Sequence, residues 1–306
     1  MKIKTKSWKD HKGELCESVE SFDVIDCETC GFRHIIPIPT QEGLINVYKE
    51  DYYSKEKPLY LAESKEDLEW LKIGYRDLYS IFENLLDGER RSILEVGSGP
   101  GYFLLYGRER GWQVKGIEPA SKAAAHGKKL GLDIEEDFLT TDNASTLGSF
   151  DVIYLDKVLE HIPDPRQMLT LTHNMLNEKG LLCVKVPNDY SLFQKIVIKA
   201  YGLRSWWVAP PHHINYFDFQ SLTNLFEDIG FEIVHRTTSF PMDIFLLMGV
   251  QYVDNNDLGR ECHFKRVKLE MAFEKAEKET AKKRWYESMA ELGIGREVIL
   301  IGEKLD

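Results

Sequence analysis

The sequence predicts an α/β protein built on a doubly wound, mostly parallel seven-stranded sheet, with a small N-terminal module and a long helical insertion before the last strand. Three observations carry this expectation. Ser92-Ile93-Leu94-Glu95-Val96 reads as a short buried strand that runs into Gly97, Gly99 and Gly101 and then into a helical run from Tyr102. Glycine there permits a tight turn and close approach of a ligand to the backbone, and a helix N-terminus beside it offers free N–H groups. Strand-like and helix-like segments then alternate regularly. Such βαβ alternation implies a parallel sheet covered on both faces, with ligands at the carboxyl ends of its strands. Acidic residues fall at those ends: Glu118, Asp137 and Asp156.

A chain of 306 residues suits one α/β domain of ordinary size with appendages. The hydrophobic fraction of 43% and the aromatic fraction of 11% support a large core. A net charge of −11 argues against nucleic acid or an anionic membrane surface as the main partner. No apolar run approaches the length that spans a bilayer, and the basic segment Met1–Lys6 lacks the apolar stretch of a signal peptide. A cytoplasmic, reducing location is therefore expected. There the five cysteines are metal ligands or core residues rather than disulfides.

Residues 1–60 are expected to form a small zinc-ribbon-like module and linker. Cys27-Glu28-Thr29-Cys30-Gly31 puts two thiolates on one turn, with glycine easing the bend, the shape of a zinc knuckle. A structural site needs four ligands. His11 and Cys16 are the first candidates for the other two, with His34 in reserve. A metal-free hairpin with free thiols is the alternative.

Residues 61–240 form the expected core. Leu68, Leu71, Tyr75, Leu78, Phe82 and Leu85 recur at helical spacing between Ser64 and Leu86. After the glycine turn, strands are expected at Trp112–Glu118, Leu132–Glu135, Phe150–Leu155 and Leu181–Val186, with helices at Ser121–Leu130 and Pro165–Leu176. Phe231–Thr237 and Glu297–Ile301 complete the sheet, the latter within the closing segment 293–306. Between them, residues 241–292 contain a long charged helix from about His263 to Leu292, whose apolar stripe fades towards Lys282-Lys283-Arg284. It caps the site, pairs subunits into a homo-oligomer, or leans on the domain as a solvated helix.

The G-x-G-x-G spacing with Glu95 two residues ahead, the segment Leu159-Glu160-His161-Ile162, and Lys185-Val186-Pro187-Asn188 together resemble the class I S-adenosylmethionine (SAM) dependent methyltransferases, a Rossmann-like family. The resemblance implies a SAM site at Glu95, Gly97, Gly99 and Gly101. It places Glu118 at the ribose hydroxyls, Asp137 and Phe138 at the adenine, and Asp156 towards the methionine part. His161 reads as a positioned core histidine. The C-x-x-C segment, with Phe32–Pro39 and Tyr48–Tyr53, is also similar to the zinc-binding module ahead of some sugar-modifying methyltransferases, although that pattern has two C-x-x-C pairs.

Residues 206–217 interrupt the alternation with two tryptophans, two prolines and paired histidines that no periodicity explains. Aromatic walls with a few polar groups suit a small-molecule pocket; a loop packed on its own tryptophans is the plainer reading. In the resembling enzymes the His-x-Asn-Tyr-Phe pattern borders the acceptor. On that basis Trp206, Trp207, Asn215 and Tyr216 are expected to place the acceptor. His213, with His212 as competitor, is the expected general base, a role suited to an imidazole near neutral pH. The function expected is methyl transfer from SAM to a small acceptor, either a sugar nucleotide or another polar metabolite. A quinone- or phenol-type O-methyltransferase, or a SAM-binding regulatory or assembly subunit without catalysis, are the alternatives.

Overall fold

The computed structural model describes residues 10–46 and 60–305; the Met1–Lys6 and Tyr48–Tyr53 segments lie outside them. Strands β1 (Gly13–Val19), β2 (Phe22–Cys27) and β3 (Phe32–Ile36) form an antiparallel meander. Alternation along β2 and β3 sends Val24 and Ile35 into a small apolar cluster with Ile38 and with Leu44 of α1 (Gln41–Asn46). A module this short cannot bury much apolar surface by itself. The deficit is met from far along the chain, as described below.

A short helix, α2 (Tyr60–Glu66), and the longer α3 (Leu68–Leu85) are separated at Asp67, where the periodicity predicted one helix. Helix α3 buries Ile73, Leu78, Tyr79 and Phe82 on one face, and Tyr79 stacks on Phe103. The parallel core follows as β4 (Ser92–Val96), α4 (Tyr102–Glu109), β5 (Gln113–Ile117), α5 (Ser121–Lys129), β6 (Ile134–Glu135), α6 (Thr141–Leu147), β7 (Phe150–Asp156), α7 (Pro165–Met175) and β8 (Leu176–Pro187). Helix α8 (Leu192–Tyr201), β9 (Asn215–Tyr216), α9 (Phe219–Ile229), β10 (Phe231–Thr237), α10 (Asp243–Leu247), α11 (Asn256–Lys275), α12 (Glu279–Glu291) and β11 (Glu297–Lys304) complete the described elements.

The main sheet has seven strands in the order β10-β11-β8-β7-β4-β5-β6. Pairing is parallel from β8 to β6 and antiparallel on both sides of β11. Ile93, Leu94, Val152, Ile153, Leu182 and Val184 are fully buried, the continuous apolar filling of strands covered on both faces. From β4 the chain goes to one side for β5 and β6, then returns to the other side for β7. The order thus reverses between β4 and β7, and a ligand crevice opens at the carboxyl ends beside that reversal.

Two features of the sheet's surroundings differ from expectation. Strand β9 leaves the main sheet and pairs antiparallel with β3, so the N-terminal sheet runs β1-β2-β3-β9. Trp207, Val208, Ile214 and Tyr216 bring the missing apolar bulk to the module's cluster. The insertion, expected as one helix, is two, α11 and α12, and its charges are not all solvated. Lys282 is 2% exposed, with Nζ 3.0 Å from Asp77 Oδ2 on α3 and 3.2 Å from Glu274 Oε1 on α11. An ammonium survives burial only when carboxylates face it; here two do, and they clamp α12 to α3 and α11. Strands β10 and β11 still pair across the insertion. Among the described residues no helix is long and apolar enough to cross a membrane.

Candidate active site

The glycine turn after β4 is dictated sterically. Gly97 has φ 72°, and a Cβ there would lie 2.6 Å from Val158 Cγ2. Gly101 has φ 81° at the cap of α4, and its Cβ would meet Leu132 Cδ1 at 2.6 Å. Both positions combine left-handed backbone with no room for a side chain. The turn is braced by Glu118, at the end of β5. Its Oε2 accepts the Gly99 N–H at 2.8 Å and its Oε1 accepts the Ala120 N–H at 2.8 Å. Each carboxylate oxygen keeps a second lone pair, and a ribose diol would supply two further donors.

Burial pushes the Glu118 carboxyl up to about 7, against the pull of the Ala120 and Gly99 N–H groups. Hydroxyl donors prefer the ionised form, so SAM affinity should rise with pH through about 7 and level off above it, with a proton released on binding near neutrality. Glu118→Gln should remove that dependence and weaken binding by about 1.5–3 kcal/mol. Calorimetry in buffers of different ionisation enthalpy reads both effects. An unchanged affinity in the variant would rule out the ribose role.

A cavity of about 670 Å³ opens at this turn. Its inner wall holds Glu95, Gly97, Gly99, Glu118, Asp137, Phe138 and Asp156, all of them expected cofactor residues. Gly101 does not line it; it caps α4 behind the turn. Asp137 Oδ1 accepts the Phe138 N–H at 2.9 Å, which fixes the bend after β6. Glu95 is 5% exposed, and burial, then Asp156 and Glu118, push its carboxyl well above the usual range. Lys185 Nζ lies 3.3 Å from Asp156 Oδ2. A cation placed beside these carboxyls would favour their ionised forms.

The outer wall comes from elsewhere than expected. Trp206, Trp207, His212, His213, Asn215 and Tyr216 do not line the cavity. Trp207 and Tyr216 are buried in the N-terminal module's cluster, with Trp206 packed against it. Asn215 Nδ2 donates to Leu159 O at 3.1 Å and to Ile162 O at 2.8 Å, stitching β9 to the 3-10 turn Leu159–His161 after β7. The aromatic loop is a domain core rather than a pocket wall. Among the described residues His235, His263 and His161 line the cavity, and the one that follows the carboxyl end of a parallel strand is His161.

Its Nδ1 lies 2.7 Å from the His212 carbonyl oxygen, which can only accept, so Nδ1 carries the proton. In the neutral ring Nε2 is then the basic nitrogen. His213 packs edge-on against His161, ring centroids 5.0 Å apart. Glu160 Oε1 lies 3.7 Å from His161 Nε2, and burial pushes that carboxyl up to about 8. The wall beyond it includes Trp70 and Tyr75 of α3, Arg266 and Glu270 of α11, and Lys282 and Tyr286 of α12. No local pattern marks these as site residues, because their placement depends on how the insertion folds back.

A second cluster lies in the N-terminal module. His11 Nδ1 is 3.2 Å from His34 Nε2, 3.7 Å from Cys27 Sγ and 3.3 Å from Cys30 Sγ. A tetrahedral site with Zn–N near 2.0–2.1 Å and Zn–S near 2.3 Å has edges of about 3.3–3.8 Å, so these four donors fit zinc. His34 is buried and its Nδ1–H donates to Ile35 O at 3.0 Å, which leaves Nε2 for a metal. Cys16, expected as a ligand, is not part of this set. It sits exposed in a register break of β1 between Leu15 and Glu17, and His34 takes the place assigned to it.

The chain matches the family described as "methyltransferase domain" over residues 68–236, more than half its length. It is 26% identical over 199 residues to a ubiquinone biosynthesis O-methyltransferase of Ruegeria pomeroyi, an alignment covering 61% of this chain and 78% of that protein. It is 27% identical over 229 residues to the C-methyltransferase NovU of Streptomyces niveus, covering 73% of this chain but 49% of the relative. The chain spans less than two thirds of the length of most of the curated relatives it matches. The solved plantazolicin methyltransferase BamL, in complex with a triazolic desmethylPZN analogue and SAH, shares the fold with a TM-score of 0.52 at 13% identity, covering 85% of this chain and 94% of that one. With the glycine turn, the acids at the strand ends and the sheet order in place, the chain belongs to the methyltransferase domain family and has the fold of class I SAM-dependent methyltransferases.

Proposed function

We propose that this enzyme methylates a hydroxyl or an acidic carbon of a small polar molecule that occupies the outer half of the cavity. One observation supports this above others: the space that begins at Gly97 and Glu118 continues past His161 to a wall carrying buried charged groups. SAM, when bound, supplies a methyl group already activated by its sulfonium. The work left to the protein is alignment and proton removal. Glu118, Asp137 and Phe138 would hold the nucleoside, and Glu95 and Asp156 line the way from it to His161. His161, with Nε2 unprotonated in its neutral form, is the base we assign, in place of His213. His213 and the His212 carbonyl orient its ring. Asn215, which bonds on either side of His161, transmits the position of the N-terminal module to it. We further propose a structural zinc on His11, Cys27, Cys30 and His34.

The relatives' names divide between a C-methyltransferase and O-methyltransferases of ubiquinone biosynthesis. Arg266 in the wall, buried and with its Nε unpartnered among the described residues, favours a polar acceptor, including a sugar nucleotide, over an apolar ring with a lipid tail, because an apolar partner would leave that donor unsatisfied in an unsolvated pocket. Turnover with a panel of nucleotide sugars, small hydroxylated acids and prenylated phenols tests the choice. The expected result is activity in the first two groups; activity confined to prenylated phenols would overturn it.

A further inference from the structure

The acceptor wall contains a buried guanidinium that makes no ion pair among the described residues. Arg266 of α11 lines the cavity and is 7% exposed. Its Nη2 donates to His263 Nδ1 at 2.8 Å, and His263 Nε2–H in turn donates to Asp67 Oδ2 at 3.0 Å. The Trp70 ring lies beneath it, 4.5 Å from Cζ to centroid. These contacts fix the plane of the guanidinium without a carboxylate touching it. Its Nε has no hydrogen-bond partner among the described residues. Glu270, one turn along the same helix, is occupied elsewhere: Oε1 accepts from Tyr286 OH and Oε2 from the Trp70 N–H, both at 2.9 Å.

A second guanidinium faces the same space. Arg296, just before β11, also lines the cavity and makes no ion pair among the described residues. Burial and then the charge of Arg296 push the Arg266 guanidinium below its ordinary value, against the pull of Glu297 and Glu270, so the two cations stand within range of each other. Glu297, the nearest acid in sequence to Arg296, is bonded by Ser239 Oγ and by Lys157 Nζ at 3.2 Å. A buried arginine with its fork held in place and an unused donor is an arrangement that recognises a planar or tetrahedral oxyanion.

We propose that Arg266 and Arg296 form an anion subsite, and that the acceptor of this methyltransferase carries a carboxylate or a phosphate which docks there. The proposal rests on the reading that the acceptor occupies this cavity. Trp70 beneath Arg266 and the His263–Asp67 relay behind it keep the guanidinium oriented before the acceptor arrives.

The test uses the SAH-saturated protein and three probes that share one ring: phenol, benzoate and phenyl phosphate. At least one anion should bind about tenfold or more tightly than phenol, the return expected of a charge-assisted contact. Whichever anion is preferred distinguishes a carboxylate-bearing from a phosphate-bearing acceptor. Arg266→Gln and Arg296→Gln should each erase most of that preference with SAH affinity unchanged. Arg266→Lys, which keeps the charge and loses the fork, should keep part of it. Arg296 is exposed, so its variant carries the test even if Arg266→Gln does not fold. Equal affinity for phenol and both anions, or an undiminished preference in both glutamine variants, would overturn the subsite. Failure of the wild type to bind SAH would instead overturn the cavity reading beneath it.

Discussion

Replacing His161 by Ala is expected to lower kcat by about 10²–10⁴ while SAM affinity stays unchanged, the range for removal of a general base. The argument is geometric. His161 faces the cavity, and its Nδ1–H is spent on the His212 carbonyl, so Nε2 is the nitrogen able to take a proton. A proton-accepting role for His161 makes turnover at saturating SAM fall on the acidic side, and that fall should vanish in His161→Ala, whereas the pH dependence of SAM affinity set by Glu118 should remain. His213→Ala should cost far less, because His213 meets the ring of His161 and not the cavity. Steady-state kinetics on both variants decides between them. A larger loss at His213 than at His161 would return the base to the position first expected from the sequence.

Removing the zinc we propose for the N-terminal module should have the largest effect on stability. Structural zinc contributes about 10–16 kcal/mol of apparent binding energy in small domains that fold around it. Here part of that energy would come from the module alone and part from the strand pairing it supports. Elemental analysis of the purified chain should find about one zinc per molecule. Cys27→Ser and His34→Ala should lose it, with a lower Tm, whereas Cys16→Ser should keep both metal and Tm. Thiolate and neutral imidazole are the binding forms, so acidification should release the metal. A metal-free protein whose Tm ignores a chelator would leave a plain hairpin with two thiols.

The legible parts of the chain were those set by local chemistry. Gly97 and Gly101 announce a turn because their backbone angles exclude other residues, and Glu118 announces a ligand because it ends a strand just beyond that turn. The parallel sheet was legible because strands buried on both faces, such as Phe150–Asp156, are continuous apolar runs. What escaped reading depends on distant partners. Trp207 and Tyr216 have the composition of a pocket wall, yet they fill a core begun by Val24 and Ile35, nearly two hundred residues earlier in the chain. Lys282 reads as a solvated lysine until α3 supplies Asp77. Cys16 had the right element for a zinc ligand, but a register break in β1 turned it outward, a detail set by pairing and not by spacing.

The pairing of β3 with β9 joins Arg33 and His34 to Tyr216 and Asn215. Contacts of such long sequence separation form late, because the intervening chain must first be ordered. During synthesis the first three strands therefore leave the ribosome well before the residues that close their apolar face, and they wait unprotected while the parallel core is made. An incomplete sheet with an open edge is the kind of species that aggregates. A metal held by His11, Cys27, Cys30 and His34, all made before the residues of the parallel core, could be bound at the start of that interval. On this view the cluster acts as a temporal device as well as a structural one. It would keep β1, β2 and β3 in register until Asn215 and Tyr216 arrive to complete the sheet.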